Sequence, residues 1–307
     1  MIRQQLHTRL MGSTFELLVV EKEESTGNQR LQEGVTEIRR IEALLTEFDP
    51  ASQTSLLNQH AGLSPVKVDP EVYQLLQRCL HLSHLTQGAF DITAVALRSL
   101  YNFKERQACY PDAGRLADAL AAVGHRHIRL AAGSVFLSKK GMRIGFGAIG
   151  KGYAADKVRA LWRSQQVSAG VINASGDLTA WGLQPDGTPW RVGIADPRDP
   201  SGILLWLPVR DAAVATSGNY EQYVEINGVR YSHNIDPRTG VPVRGVKSAT
   251  VISPSAELSD ALATAITVMG VSAGLYLIDQ LPDVHGIIID DKDRIFSSKN
   301  IDRYACN

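Results

Sequence analysis

Apolar residues recur three and four positions apart in several segments, which is the spacing of one buried helix face. Helices are predicted for Leu31 to Leu45, Glu71 to Leu85, Ala113 to Val123, Tyr153 to Gln165 and Leu258 to Met269. Strands are predicted for Thr14 to Glu21, Val135 to Leu137, Gly170 to Ala174, Trp190 to Ala195, Leu204 to Val209, Ala213 to Ser217, Val246 to Ile252 and Gly286 to Ile289. Helices cluster early and strands late. The pattern therefore predicts an α+β fold of mixed, largely antiparallel sheets flanked by helices.

A tight hairpin is the clearest local prediction. Tyr223 to Ile226 and Val229 to Tyr231 flank Asn227 and Gly228, and an Asn-Gly pair supplies the positive φ values of a two-residue turn. Repeats, low-complexity tracts and long linkers are missing from the sequence. We therefore expect a single domain over residues 1–307.

The segment after this hairpin, YSHNIDPRTG from Tyr231 to Gly240, concentrates polar side chains around a proline turn. Pro237 cannot continue a strand ladder, so His233 and Asp236 are expected at a strand end that faces a cleft. A solvated loop with a local ion pair between Asp236 and Arg238 is the alternative.

A glycine-rich turn, GFGAIGKG from Gly145 to Gly152, resembles two phosphate-binding patterns without completing either. Gly152 replaces the Ser or Thr of a P-loop, and Asn173 stands where a dinucleotide fold needs an acidic residue. The turn precedes a predicted helix whose amide dipoles favour an anion, and Lys151 would add positive charge. Alternatively, the glycines serve close packing of helix against sheet.

The helix from Leu258 has an unusual second face. Its apolar stripe leaves Asp260, Thr264 and Thr267 on the opposite side, yet no charged residue occurs between Asp260 and Asp279. Asp260 and Thr264 lie one turn apart, so their oxygens can share a hard cation such as Mg²⁺. A helix buried on both sides is the alternative.

Composition narrows the class of protein. The 307 residues are 44% hydrophobic and 21% charged, with 32 basic and 32 acidic side chains. This is typical of a globular protein, and the absence of a basic run argues against a nucleic-acid partner.

No stretch approaches the ~20 apolar residues of a membrane span, and no secretory signal is recognisable. Cys79, Cys109 and Cys306 lack metal spacing and fit reduced thiols. We expect a cytoplasmic protein as given, or a periplasmic or membrane-anchored one if the N-terminus was trimmed.

The sequence resembles the ApbE family, the FAD:protein FMN transferases, through motifs that follow one another along nearly the whole chain. They are MGSTF from Met11, FDPASQTSLLNQHAG from Phe48, GAFDIT from Gly88, GAIGKGYAAD from Gly147, NASGDL from Asn173, ATSGNY from Ala215, SHNIDPRTG from Ser232 and SDALATA from Ser259. The resemblance implies an ApbE-like fold with a flavin-binding cleft, which holds FAD as substrate and Mg²⁺ beside its pyrophosphate. It also implies transfer of FMN onto a Thr or Ser hydroxyl of an acceptor flavoprotein with a DxxSGAT-like motif, with release of AMP.

The resemblance also assigns site residues by position. The flavin dinucleotide is expected on Met11, Phe48, Ala89, Phe90, Asp91, Gly147, Lys151 and Ile235. The metal is expected on the Ala148 carbonyl, Asp260 and Thr264, and the catalytic residues are expected to be His233 and Asp260. We hypothesise that His233 removes or relays the proton of the attacking hydroxyl, with Asp236 as an alternative orienting group.

Two departures from the family pattern bear on the site. Gly145 stands where many members carry an acidic residue, and Phe48 stands where tyrosine is common. A Mg²⁺-dependent FAD pyrophosphatase and a flavin-binding protein without turnover are the rival functions. A serine hydrolase built on Ser175 is less favoured, because no GxSxG motif is present.

Overall fold

The computed structural model describes residues 1–103, 105, 109–199, 202–218, 223–299 and 301. Cys306, together with Asn219 and Tyr220 of the ATSGNY motif, lies outside these ranges. Cys79 is a buried free thiol and Cys109 an exposed one. None of the described helices is long and apolar enough to cross a membrane.

Eight antiparallel strands form the central sheet, in the spatial order β1-β2-β6-β7-β10-β13-β14-β15. The strands are β1 (Ile2–Leu10), β2 (Ser13–Glu21), β6 (Ala169–Ala174), β7 (Asp177–Trp181), β10 (Ala212–Gly218), β13 (Val246–Ser253), β14 (His285–Asp290) and β15 (Ile295–Ser297). Three smaller antiparallel sheets surround it. They contain β3 (Val66–Lys67), β4 (Ile128–Ala131) and β5 (Ser134–Leu137), then β8 (Trp190–Ala195) with β9 (Ile203–Val209), and β11 (Tyr223–Ile226) with β12 (Val229–Ser232).

Seven α-helices are found in the described part of the chain. They are α1 (Glu24–Leu45), α2 (Gln53–Gln59), α3 (Pro70–Leu85), α4 (Ala113–Ala121), α5 (Gly150–Ser164), α6 (Ala256–Met269) and α7 (Val271–Ile278). A 3₁₀-helix spans Ile92–Leu100. The predicted α+β class with antiparallel sheets and flanking helices is confirmed.

The two faces of the central sheet have different partners. Phe15, Leu17 and Ile172 project to one side and pack in the largest apolar core with α1, α3 and α5. Leu18 and Val214 project to the other side, where they pack with the β8–β9 hairpin. This alternation follows the two-residue period of a strand, and it buries both faces of the sheet.

Most predicted elements are present with shifted ends. Helix α1 begins seven residues before Leu31, because its first two turns are polar and lack the apolar period. The Asn227–Gly228 hairpin has φ values of 52° and 74° at the two turn residues, as predicted. The sequence patterns did not predict β1, β3, β4, β7, β15, α2 or α7. Strand β1 is a half-exposed edge strand, so its hydrophobic signal is weak.

Candidate functional site

A cavity of about 520 Å³ opens at the end of the central sheet, next to α5 and α6. We call it the first cavity. Its volume falls within the roughly 300–1,000 Å³ typical of small-molecule sites. Its wall includes Ala89, Phe90, Asp91, Gly147, Ala148, Lys151, Asp177, Thr216, Ser217, Gly218, His233, Asn234, Ile235, Asp260 and Thr264. The lining residues extend along the chain from Ser13 to Val268, so distant segments meet around one space.

The glycine-rich turn forms one wall and leads directly into helix α5. The cap residue Ile149 provides no side-chain hydrogen bond, so the first amides of the helix depend on other partners. A Cβ at Gly147 would have no atom within 4 Å, which leaves this backbone open to the cavity. Gly152 has a different role, because a Cβ there would lie 2.2 Å from the Ala256 carbonyl oxygen. Gly152 therefore serves close packing, whereas Gly147 leaves the space that the phosphate-binding prediction requires.

Helix α6 forms the facing wall and is buried on nearly every side. Asp260, Ala263 and Thr264 line the first cavity, whereas Thr267 donates its hydroxyl to the Ala263 carbonyl oxygen at 2.8 Å. The predicted polar face is thus confined to Asp260 and Thr264. The alternative prediction, a helix buried on both sides, is also partly correct, because ten of the fourteen residues of α6 are buried.

A charged cluster joins these two walls. Lys151 Nζ donates to Asp177 Oδ2 at 2.7 Å, and the Gly152 amide donates to Asp260 Oδ2 at 3.3 Å. Burial, followed by the negative charge of Asp177, raises the pKa of Asp260 well above its usual range. In this cluster two carboxylates share one lysine, and such an arrangement favours an added cation.

The segment after the hairpin contributes His233, Asn234 and Ile235 to the wall. Asn234 Nδ2 donates to Ser217 Oγ at 2.9 Å, which ties this segment to the end of β10. Asp236 is engaged elsewhere: its carboxylate accepts from Arg238 Nε at 2.8 Å and from Nη2 at 2.9 Å. The local ion pair of the alternative reading is present, and His233 lines the cavity as well.

Asp91 lies at the cavity wall, but its carboxylate binds protein groups. It accepts from the Thr93 amide and hydroxyl at 2.9 and 2.6 Å, and from the His125 amide at 2.7 Å. Burial alone would raise the pKa of Asp91, but the hydrogen bonds from His125 and Thr93 outweigh it and lower the pKa. Asp91 therefore fixes the start of the 3₁₀-helix, whereas Ala89 and Phe90 supply apolar wall.

Two predicted flavin contacts lie outside the cavity wall. Phe48 is 87% exposed, although its neighbour Glu47 lines the cavity. Met11 has a left-handed φ of 50° in the β1–β2 turn and packs against the main core. The structure thus does not bring these two side chains to the wall formed by the other predicted residues.

Three further observations complete the site. At Gly145, where the family resemblance predicts an acidic residue in many members, a Cβ would lie 3.2 Å from Val95 Cγ2, so Val95 fills that space. Ser175 is a turn residue with φ of 55°, and its hydroxyl donates to the Thr14 carbonyl oxygen. Asp177 was missed as a site residue, although the NASGDL motif contains it, because its pairing with Lys151 spans 26 positions.

The donor set resembles that of a hard-cation site. Among the residues that the structure describes, no group of three His, Cys, Asp or Glu side chains could hold a metal. The oxygens available are instead mixed: the carboxylates of Asp260 and Asp177, the Thr264 hydroxyl and backbone carbonyls of the glycine-rich turn. Mg²⁺ prefers such oxygen ligands, with few protein carboxylates and the remaining positions on water or phosphate.

The chain is similar to known proteins of one family. The model of the ApbE family matches residues 11–288. The FAD:protein FMN transferase of Treponema pallidum is 34% identical, with 88% of this chain and 80% of the relative covered. That of Vibrio cholerae is 30% identical, with coverage of 94% and 89%.

Solved structures extend the similarity to the fold. The ApbE protein of Thermotoga maritima superposes with a TM-score of 0.91 at 29% identity, and each chain is covered completely. The flavin transferase ApbE of Vibrio cholerae gives a TM-score of 0.88 at 26% identity, with 99% of each chain covered.

Proposed function

The chain belongs to the ApbE family of flavin transferases, and we propose that it is an Mg²⁺-dependent FAD:protein FMN transferase. It moves the FMN half of FAD onto a Thr or Ser hydroxyl of an acceptor flavoprotein and releases AMP. The observation that carries this proposal is the convergence of an open glycine turn, Lys151 and the Asp260–Thr264 pair on one cavity. Since residues from 13 to 268 line that cavity, we also propose that residues 1–307 act as one domain.

The residues fit the metal that the family implies. Asp260 is 6% exposed, and the neighbouring Lys151 ammonium donates to Asp177. A bound cation would offset the burial and the repulsion by Asp177 that together raise the pKa of Asp260. Asp260, Thr264 and the Ala148 carbonyl would hold the ion. When bound, Mg²⁺ supplies electrostatic stabilisation to the charge that develops on phosphate oxygens.

The chain's own groups account for the rest of the reaction. Lys151 is held at the cavity by Asp177 and offers positive charge to a pyrophosphate. The open backbone at Gly147 admits phosphate oxygens close to the start of helix α5, where amide dipoles favour an anion. Ala89, Phe90 and Ile235 offer apolar surface to the flavin.

His233 is proposed to take the proton of the attacking hydroxyl. It lines the same cavity as Asp260, and its segment is tied to β10 through Asn234 and Ser217. A neutral imidazole near pH 7 is suited to general base catalysis, which contributes roughly 10²–10⁴-fold. Because Asp236 is paired with Arg238, we assign Asp236 to the turn and not to proton transfer.

The test is an assay with FAD, Mg²⁺ and a synthetic peptide that carries the DxxSGAT-like sequence. We expect covalent flavin fluorescence on the peptide and an equal amount of AMP, both dependent on Mg²⁺. Release of free FMN and AMP with an unmodified peptide would identify a pyrophosphatase. Absence of AMP with every divalent metal would overturn enzymatic turnover and leave a flavin-binding protein.

A further inference from the structure

A second cavity, of about 680 Å³, lies on the face of the central sheet that packs with the β8–β9 hairpin. We call it the edge groove. One side is the sheet, with Arg3, Glu16, Leu18, Val171, Leu178 and Val214, and the other side is the β8–β9 hairpin with Trp206. Nothing in the reaction described above uses this space.

The edge groove runs along an open strand edge. All six residues of β8, from Trp190 to Ala195, line it, whether their side chains face the sheet or face away. Because side chains that point to both faces of β8 line the groove, the backbone edge of this strand lies at the groove. Among the described residues β8 pairs only with β9, so its other edge presents unpaired N–H and C=O groups. Such an edge is a template for an added strand.

The edge groove and the first cavity meet at two residues, Gly176 and Thr216, which line both. The last pair of the β7–β10 ladder is Leu178 with Val214. Continuing this antiparallel register by two residues on each strand would place Gly176 opposite Thr216. A Cβ at Gly176 would have no atom within 4 Å. The end of the ladder therefore leaves an open gap between the two spaces.

The transfer reaction needs a second substrate at this gap. The first cavity is the proposed site of the flavin dinucleotide, so the acceptor hydroxyl must arrive from beside it. We propose that the acceptor protein binds as an extended segment that adds to the open edge of β8. Its hydroxyl-bearing residue then passes between Gly176 and Thr216 toward Asp260. This inference rests on the proposed function and names how its protein substrate binds.

Side chains around the groove suit a peptide with an acidic residue. Trp206 is 44% exposed, and the Arg191 guanidinium lies 5.3 Å from its ring centroid. Arg3 adds a second guanidinium, and Glu16 is the one carboxylate lining the groove in the described part of the chain. Aromatic and arginine side chains are the usual anchors of protein interfaces.

The first test uses Trp206→Ala with the same DxxSGAT-like peptide. We expect the KM for the peptide to rise about tenfold, with kcat and FAD affinity unchanged, because Trp206 lies outside the first cavity. Tyr276→Ala is the matched control, since this aromatic residue on α7 is 71% exposed and lines neither space. A peptide KM in Trp206→Ala equal to that of the control would overturn the proposal.

The second test addresses strand addition itself and does not require turnover. Peptides N-methylated at alternate residues lose the hydrogen bonds of one edge only. We expect one of the two alternating sets to bind at least about tenfold more weakly than the other, as measured by fluorescence anisotropy. Equal binding of the two sets would overturn strand addition even if FMN transfer is observed. Unequal binding in a protein that transfers no FMN would support the docking site and contradict the proposed function.

Discussion

Helix α5 serves two carboxylate clusters that differ in how their charge is balanced. At its first turn, Lys151 and the Gly152 amide contact Asp177 and Asp260. Farther along, Tyr153 and Lys157 contact Glu71, which Arg40 also binds through two nitrogens. The first cluster lines a cavity, whereas the second lies at the protein surface.

The pKa shifts of the two clusters have opposite signs. Burial and the charge of Asp177 raise the pKa of Asp260. Burial would also raise the pKa of Glu71, but hydrogen bonds from Arg40, Tyr153 and Lys157 lower it to about 2. The negative charge of Glu71 is therefore balanced by side chains of the protein itself, and these contacts stabilise the fold. Asp260 is a carboxylate that the protein leaves short of positive charge, as a cation site requires.

The largest expected effect is that of Asp260→Ala. Removing the carboxylate proposed to hold the metal should lower Mg²⁺-dependent FMN transfer by more than about 10³-fold, measured as peptide fluorescence. Glu257→Gln is the matched control, because this residue lies on the same helix and pairs with Arg78 outside the cavity. Full activity of Asp260→Ala would place the metal elsewhere.

The next effect concerns His233, a residue of the cavity that belongs to neither cluster. His233→Ala should lower kcat by about 10²-fold if the imidazole takes the hydroxyl proton, with little change in the KM for FAD. The loss should be smaller at high pH, where more of the acceptor hydroxyl reacts without a base. A transfer rate equal to that of the wild type would exclude the base role.

A smaller effect is expected from Asp177→Asn, which removes one negative charge from the first cluster. The Mg²⁺ concentration for half-maximal rate should rise about tenfold, which corresponds to ~1.4 kcal/mol. An unchanged Mg²⁺ requirement with a higher KM for FAD would show that Asp177 acts only by positioning Lys151.

The smallest effect concerns stability and distinguishes the second cluster from the first. Glu71→Gln should lower the free energy of unfolding at pH 7 by about 1 kcal/mol, since these partly exposed ion pairs are screened, and should leave FMN transfer unchanged. Chemical denaturation at pH 7 measures this difference. A loss of transfer activity without a loss of stability would contradict the structural assignment of Glu71.

The pH dependence of this contribution follows from the sign of the shift. Because the pKa of Glu71 falls from 4.5 to about 2 on folding, its contribution is complete above pH 4.5 and is lost as the pH falls toward 2. The stability difference between wild type and Glu71→Gln should therefore shrink across that window. A difference that stays constant down to pH 2 would show that the ion pairs do not cause it.

Local features were predictable from the sequence because short-range rules specify them. The Asn227–Gly228 hairpin follows from turn chemistry, and the one-turn spacing of Asp260 and Thr264 follows from helical periodicity. Local patterns also indicated Lys151 and His233, and the motif resemblance added the Ala89–Asp91 segment. All of these residues line the first cavity. Phe48 and Met11 were expected beside the flavin. Neither lines the cavity, although Met11 Cε lies 3.6 Å from the Cβ position of Gly150 at the start of α5.

The sequence by itself determined the fold class, the glycine-rich turn, the polar pair on α6 and the family. Only the tertiary structure decided that Asp177 reaches Lys151, that Glu71 on α3 gathers partners from α1 and α5, and that β8 keeps an open edge. The physical reason is the distance along the chain between the residues that determine each feature. Turns and helix faces depend on neighbours within four residues, whereas charge balance, burial and strand pairing depend on groups that only the folded chain brings together.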